Sequence, residues 1–396
     1  MRKHLLIIGA MILAVAISNR EALCDFGTKT NESRNGDANS DATAYFNRGI
    51  EYLNQGLHDP AIADFTRVIE IVPGFAAAYY NRGNAYADKG LPDQAIADYT
   101  KAIELKPDYA LAHNDRGLTY YDKGQYDRAI TDYTKAIELK SDYAEAYNNR
   151  GVIYRKKELY EKAIADYTKA IEFKSDYAFA YNNRGNIYFD QALFNQAITD
   201  YTKAIELKSD YAFAYNNRGN AYNSTAEYEQ AIVDLSKAIE LKPDYANAFC
   251  NRGFAYAKTG LYDKAVSDCN KAIGLNPDFA EAYNNRGLAY DRQNLVDRAI
   301  ADYDKAIELD SKYVEAYNHR GDTYQKKKLY DQAIANYSKA IELDPNEGIA
   351  YASRANAYFE KKEFAMAWVD VLAAQELKYP LDPGFIEKLE KASGQE

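Results

Sequence analysis

The sequence predicts an all-α fold: a solenoid of ten stacked helix–turn–helix repeats with a capping helix at the C-terminus. Three observations predict it. An Arg-Gly pair recurs every 34 residues from Arg48 to Arg320, and Arg354 continues the series with Ala355 in place of the glycine. A Tyr follows each of these arginines four residues on, from Tyr52 to Tyr358. A small residue recurs in phase from Ala61 through Ala95 to Ala367. Self-similarity at such a period marks a repeat architecture.

The chain opens with Arg2, Lys3 and His4, followed by an uncharged run from Leu5 to Ile17. Thirteen helical residues rise only about 20 Å, short of the roughly 30 Å hydrocarbon core. A secretory signal over residues 1–24 is therefore expected, cut after Ser18 or after Cys24. An uncleaved anchor and a lipoprotein are the alternatives, the second weakened by Glu21 where an apolar residue is wanted. An exported protein, bacterial and periplasmic or secreted, follows from that reading. Residues 25–41 are polar and aperiodic and read as a flexible linker.

The repeats then run 42–75, 76–109, 110–143, 144–177, 178–211, 212–245, 246–279, 280–313, 314–347 and 348–381. In the second, residues 76–88 carry no breaker and form a first helix. Gly90 and Pro92 make a turn, and Pro92 suits a helix start. Ala95, Ile96, Tyr99, Ala102 and Ile103 then give a 3.6-residue period, which Pro107 stops. On the first helix Tyr79, Arg82, Gly83 and Tyr86 share the face that must pack. Glycine at position eight admits a second helix closely, since it has no Cβ. Residues 382–396 begin with Asp382-Pro383 and place Phe385, Ile386 and Leu389 on one side, as a helix covering the open end of a stack would.

The pattern resembles the tetratricopeptide repeat family. The match rests on Gly at position eight, Tyr at eleven, Ala at twenty, an aromatic at twenty-four (Tyr99, Tyr133, Tyr167, Tyr201, Tyr303) and Ala at twenty-seven (Ala102, Ala136, Ala170). The proline usual at thirty-two is Ser141, Ser175, Ser209 and Ser311 in four copies. The resemblance implies a right-handed superhelix whose concave surface holds a segment of another protein.

The arginine at position seven departs from the family, which usually has an aliphatic residue there. A buried guanidinium needs a partner. Sixteen residues on stands an acid in nine copies, with Asn336 the break. Salt bridges between the two helices of a hairpin are expected, Arg150–Asp166, Arg184–Asp200 and Arg218–Asp234 among them.

The candidates for contact with a partner are the asparagines at positions five and six: Asn148, Asn149, Asn182, Asn183, Asn216, Asn217, Asn284 and Asn285. An amide both donates and accepts without charge, so it suits a peptide backbone of any sequence. The row resembles ladders with which members of the family hold extended polypeptides. Asn at position six is also ordinary repeat filler. Phe179, Phe213 and Phe189, with Tyr121, are expected to form an aromatic patch, since aromatic anchors often carry binding energy. Arg155, Lys156, Lys258, Arg292 and Lys326 add positive charge, the alternative being a solvated face.

The net charge of −10 argues against nucleic acid and anionic membranes, both of which need a basic footprint. His58, His113 and His319 are dispersed, and no phosphate loop, metal spacing or nucleophile motif appears. No cofactor and no catalytic activity are expected. Cys250 is expected to face the groove and Cys269 the second-helix core, which disfavours a disulfide. The sequence thus reads as a non-enzymatic, exported interaction scaffold for a protein or peptide. A self-associating envelope scaffold and an enzyme accessory subunit are the rival readings.

Overall fold

The computed structural model describes residues 36–394, so the expected signal segment and most of the expected linker lie outside the described residues. Among the described residues the secondary structure is α-helix and turn throughout. Ten hairpins follow the expected boundaries. The second, for example, is Ala76–Asp88 against Pro92–Leu105. The first helix differs from expectation: it spans Gly36–Asn54, so residues 36–41 are helical where a linker was expected. Between Gly36 and Asp41 no proline or further glycine interrupts the chain, and helix propagation needs only the nucleus that Ala42 onward supplies.

Each first helix ends on a residue in the left-handed region at position fifteen. It is Gly56, Gly90, Gly124 and Gly260 in four hairpins and Glu158, Ala192, Ala226, Asn294, Lys328 and Lys362 in the others. The amide after it closes the turn, as Leu91 N–H to Tyr86 O at 2.9 Å does.

The core between the two helices of a hairpin is built on position eight. A Cβ placed on Gly83, Gly151 or Gly287 would lie 2.7–2.8 Å from the ring of Tyr99, Tyr167 or Tyr303. Those rings are buried beside Ala95, Ala163 and Ala299. The last hairpin tolerates Ala355 because the residue opposite is Val371 rather than a ring.

The chain divides into two compact units, one up to Ile187 and one from Tyr188. Within each, the second helix of one hairpin packs on the first helix of the next. The second unit ends in the helix Pro383–Ser393. Asp382 caps it by accepting from Gly384 N–H at 3.0 Å, and Gly394 terminates it. Its Leu389 is fully buried beside Val371, and Trp368 Nε1 donates to Ser393 Oγ at 3.0 Å, which is the expected end cap.

Candidate functional site

In most hairpins after the first, the position-seven arginine is held from two sides. Arg82 donates through Nε and Nη2 to Asp98 at 2.7 and 2.8 Å. Arg48, Arg116 and Arg150 pair likewise with Asp64, Asp132 and Asp166. In the second unit Arg218–Asp234, Arg252–Asp268, Arg286–Asp302 and Arg354–Asp370 repeat the geometry. The aspartates are buried; Asp200 is too, and Arg184 is partly buried. The expected bridges Arg150–Asp166 and Arg218–Asp234 therefore form, and bidentate charge-assisted pairing is the strong form of the interaction.

The second hold was not legible from one hairpin. The free Nη1 reaches back to position 25 of the preceding hairpin: Arg82 to Thr66, Arg116 to Thr100, Arg150 to Thr134, Arg184 to Thr168, Arg252 to Ser236. Two rings flank the guanidinium, Tyr79 and Tyr86 lying 5.6 and 5.9 Å from that of Arg82. Many of the 38 tyrosines are explained this way. Burial pushes Asp166 up despite Arg150, whereas Arg116 and His113 together outweigh the burial of Asp132 and hold it low.

The asparagines form a different array from the one expected. Position five is buried: Asn148, Asn182, Asn216 and Asn284 are 3–6 % exposed. Links between hairpins join position five of one to position six of the next. Asn183 Nδ2 donates to Asn148 Oδ1 at 3.0 Å, Asn251 Nδ2 to Asn216 Oδ1 at 3.1 Å, and Asn149 Nδ2 to Asn114 Oδ1 at 3.3 Å. Within hairpins, Asn216 Nδ2 donates to Asn217 Oδ1 and Asn284 Nδ2 to Asn285 Oδ1. Much of the amide capacity is thus spent on stacking neighbours. Asn149, Asn183 and Asn217 remain half-buried, whereas Asn285 is buried and donates to Cys250 Sγ. At the second link of the row the amides are replaced by Tyr80, whose hydroxyl donates to buried Asp115 at 2.6 Å. Burial lifts Asp115 to about 6.

The ladder stops at the tenth hairpin, where Ala352 and Ser353 stand in place of the pair. There a concavity of about 680 Å³ opens. Asp322, Gln325, Lys326, Lys328, Tyr330, Ile349, Ala352, Ser353, Asn356 and Glu360 line it, together with Tyr379, Pro380, Leu381, Asp382 and Phe385 of the C-terminal segment. The first-helix residues among these hold positions two, five, six, nine, twelve and thirteen, with Lys328 in the turn and Tyr330 on a second helix. In the ninth and tenth hairpins these positions share the concavity, which is the candidate interaction surface.

Models of the tetratricopeptide repeat match residues 42–75, 76–109, 144–177, 246–279, 280–313 and 314–347. Further models of the same repeat match 98–131, 117–158, 185–225 and 219–260. The chain belongs to the tetratricopeptide repeat family. A search of curated proteins returns no match. Among solved structures, the APC/C hetero-tetramer Cut9–Hcn1 is 14% identical over 96% of this chain and 95% of that one, with a TM-score of 0.57. A tetratricopeptide repeat protein from Parabacteroides merdae is 20% identical over 63% and 98%, TM-score 0.52. YrrB, described as a tetratricopeptide repeat protein with an unusual peptide-binding site, is 27% identical over 46% and 95%, TM-score 0.40. The first two are likenesses of fold.

The tetratricopeptide register explains why the expected aromatic patch does not assemble as one surface. Phe179 and Phe213 sit at position two, Phe189 and Tyr121 at position twelve, about 15 Å apart along a helix. All four are half-buried. Phe213 packs on Tyr245 at 5.2 Å between centroids, Phe189 on Phe194 at 5.4 Å, Tyr121 on Tyr126 at 5.7 Å and Phe179 on Tyr177 at 6.1 Å. The aromatics are thus divided between the two ends of the first helices. Cys250 is buried beneath Asn285 rather than open to the groove. It and Cys269 are free thiols that burial pushes well up.

Proposed function

We propose that this tetratricopeptide scaffold holds an extended or helical segment of another protein against the open face of its first helices. Repeats of this kind suit protein–protein interaction. The observation that carries the reading is the concavity at the ninth and tenth hairpins: positions that pack hairpins together recur almost unchanged, while positions two, nine, twelve and thirteen, which line it there, vary from hairpin to hairpin. Along position nine stand Asn186, Asn220, Phe254, Leu288, Asp322 and Asn356, against Gly185 to Gly321 one residue before. The half-buried Asn149 and Asn183 with Phe179 in the first unit, and Asn217 with Phe213 in the second, are the contacts proposed for that segment, each unit taken by itself. The buried Asn148, Asn182, Asn216 and Asn284, and Asn285 beside them, position these rather than touch it.

Rigid hairpins stapled to their neighbours keep this face preformed, which lowers the ordering cost of binding. Export is part of the same proposal and rests on the run from Leu5 to Ile17. Among the described residues no helix is long and apolar enough to cross a membrane. The test is photo-cross-linking in the native cells, with the reactive residue at Asn220 on the open face or at exposed Ser267 on a second helix. Adducts from position 220 alone, mapping to one segment of one polypeptide, are expected. Equal yields from both, or none from 220, overturn the proposal.

A further inference from the structure

Position thirteen is basic in three consecutive hairpins of the second unit, at Lys258, Arg292 and Lys326, between Ser224 before and Glu360 after. Lys326 shows how such a cation is compensated: its Nζ pairs with buried Asp291, which stands at position twelve of the preceding hairpin. By the same register the residue offered to Arg292 is Ala257, and the residue offered to Lys258 is Asn223. Neither can supply a charge. Lys258 Nζ instead lies over the Phe254 ring at 5.1 Å. Both cations are exposed, in a chain whose net charge is −10.

From this placement we infer that Lys258 and Arg292 form a receptor for an acidic side chain of the bound polypeptide segment. The inference rests on the open face of the first helices being the binding face. Lys258 and Arg292 repel each other, and the carboxylates nearby are already engaged: Asp291 pairs with Lys326, and partly buried Asp322, within electrostatic reach of Arg292, accepts from the Tyr337 hydroxyl. Burial first, then Arg292, draws Lys258 down, and both cations add to the burial that holds His319 neutral at about 4. A carboxylate between them removes that repulsion and takes the bidentate geometry a guanidinium offers. At the opposite ends of the helices of Arg292 and Lys326 stand Glu281 and Glu315, while the helix of Lys258 has Asn247 there, so over these two helices the face is acidic along one edge and basic along the other. A segment with its acids on one side is therefore bound in one orientation.

The experiment uses the full chain and fluorescence anisotropy at two salt concentrations. The probes are a labelled twelve-residue peptide of Gly and Ala with three spaced Glu, the same peptide with Gln, and inorganic phosphate as competitor. Binding of the Glu peptide at least tenfold tighter than the Gln peptide is expected. Lys258→Gln/Arg292→Gln should remove that preference. Lys264→Gln/Lys271→Gln, an equal charge change at two exposed sites on a second helix, should keep it. Equal binding of both peptides overturns the acidic-side-chain receptor while leaving the groove reading intact. Binding of neither overturns this inference, and the cross-linking at Asn220 then decides the groove separately. Equal loss in Lys264→Gln/Lys271→Gln reduces the effect to net charge, and complete competition by millimolar phosphate makes the pair a small-anion site; either result overturns it.

Discussion

Arg320 takes its carboxylate from the wrong hairpin. In the ninth repeat Asn336 stands where the partner aspartate should be, and accepts from Arg320 Nε at 2.8 Å through a neutral oxygen. The charge comes from Asp304, at position 25 of the eighth repeat, which receives Nη1 at 2.5 Å. Elsewhere that position is Thr, Ser or Asn, or Leu372 in the last repeat, where no following arginine needs it. The lost aspartate and the gained one serve the same guanidinium, so the arginine's charge requirement spans two hairpins.

Asp304→Thr is therefore expected to cost about 1 kcal/mol, modest because the Asp304 side chain is half exposed. Adding Asn336→Asp should restore the loss, since the ordinary arrangement is rebuilt. Chemical denaturation of the two variants checks it; no recovery in the double variant contradicts the compensation.

The close approach at position eight makes Gly287→Ala destabilising by about 1–3 kcal/mol, because its Cβ would meet the Tyr303 ring at 2.7 Å. Combined with Tyr303→Val, which copies the Ala355–Val371 pairing, the two changes should be less harmful than their sum. A double-mutant cycle with no favourable coupling would show that the ring does not set the glycine requirement.

Asp115 gives a pH-dependent stability. Its folded pKa is raised to about 6 by burial, above an ordinary 3.8. Between these values the native state keeps a proton that the unfolded chain has lost, so stability falls as pH rises from about 4 to 6 and then levels. The term amounts to roughly 2–3 kcal/mol. Asp115→Asn, which restores the residue usual at position six, should raise Tm at pH 7.5 and leave it nearly unchanged at pH 4. An equal shift at both pH values contradicts the assignment.

Ala226 sits at φ 61° in a turn where four hairpins use glycine. Ala226→Gly should stabilise by about 0.5–1 kcal/mol, the left-handed strain relieved exceeding the entropy added to the unfolded chain. A lower Tm would count against strain at that turn.

Much of this was readable from the sequence because tetratricopeptide hairpins repeat their local chemistry. The arginine, the acid sixteen residues on, the glycine and the terminal helix all state relationships inside one hairpin or at the chain's end. What one helical wheel does not carry is the next hairpin. Asn148 looks free on its own helix, yet Asn183 of the following hairpin covers it. Thr134 looks like surface, yet Arg150 reaches it. A single helical wheel leaves the position-five asparagines open for that reason, and it carries no height along the helix, which is what separates Phe213 at position two from Phe189 at position twelve.

The role of the arginine between hairpins is tested most directly by hydrogen exchange of Arg252→Met, whose guanidinium joins Asp268 of its own hairpin to Ser236 of the one before. Faster exchange is expected in three helices together: Tyr228–Leu241, Ala246–Lys258 and Tyr262–Leu275. Exchange that quickens only within 246–279, leaving the helix of Ser236 as protected as before, would contradict it.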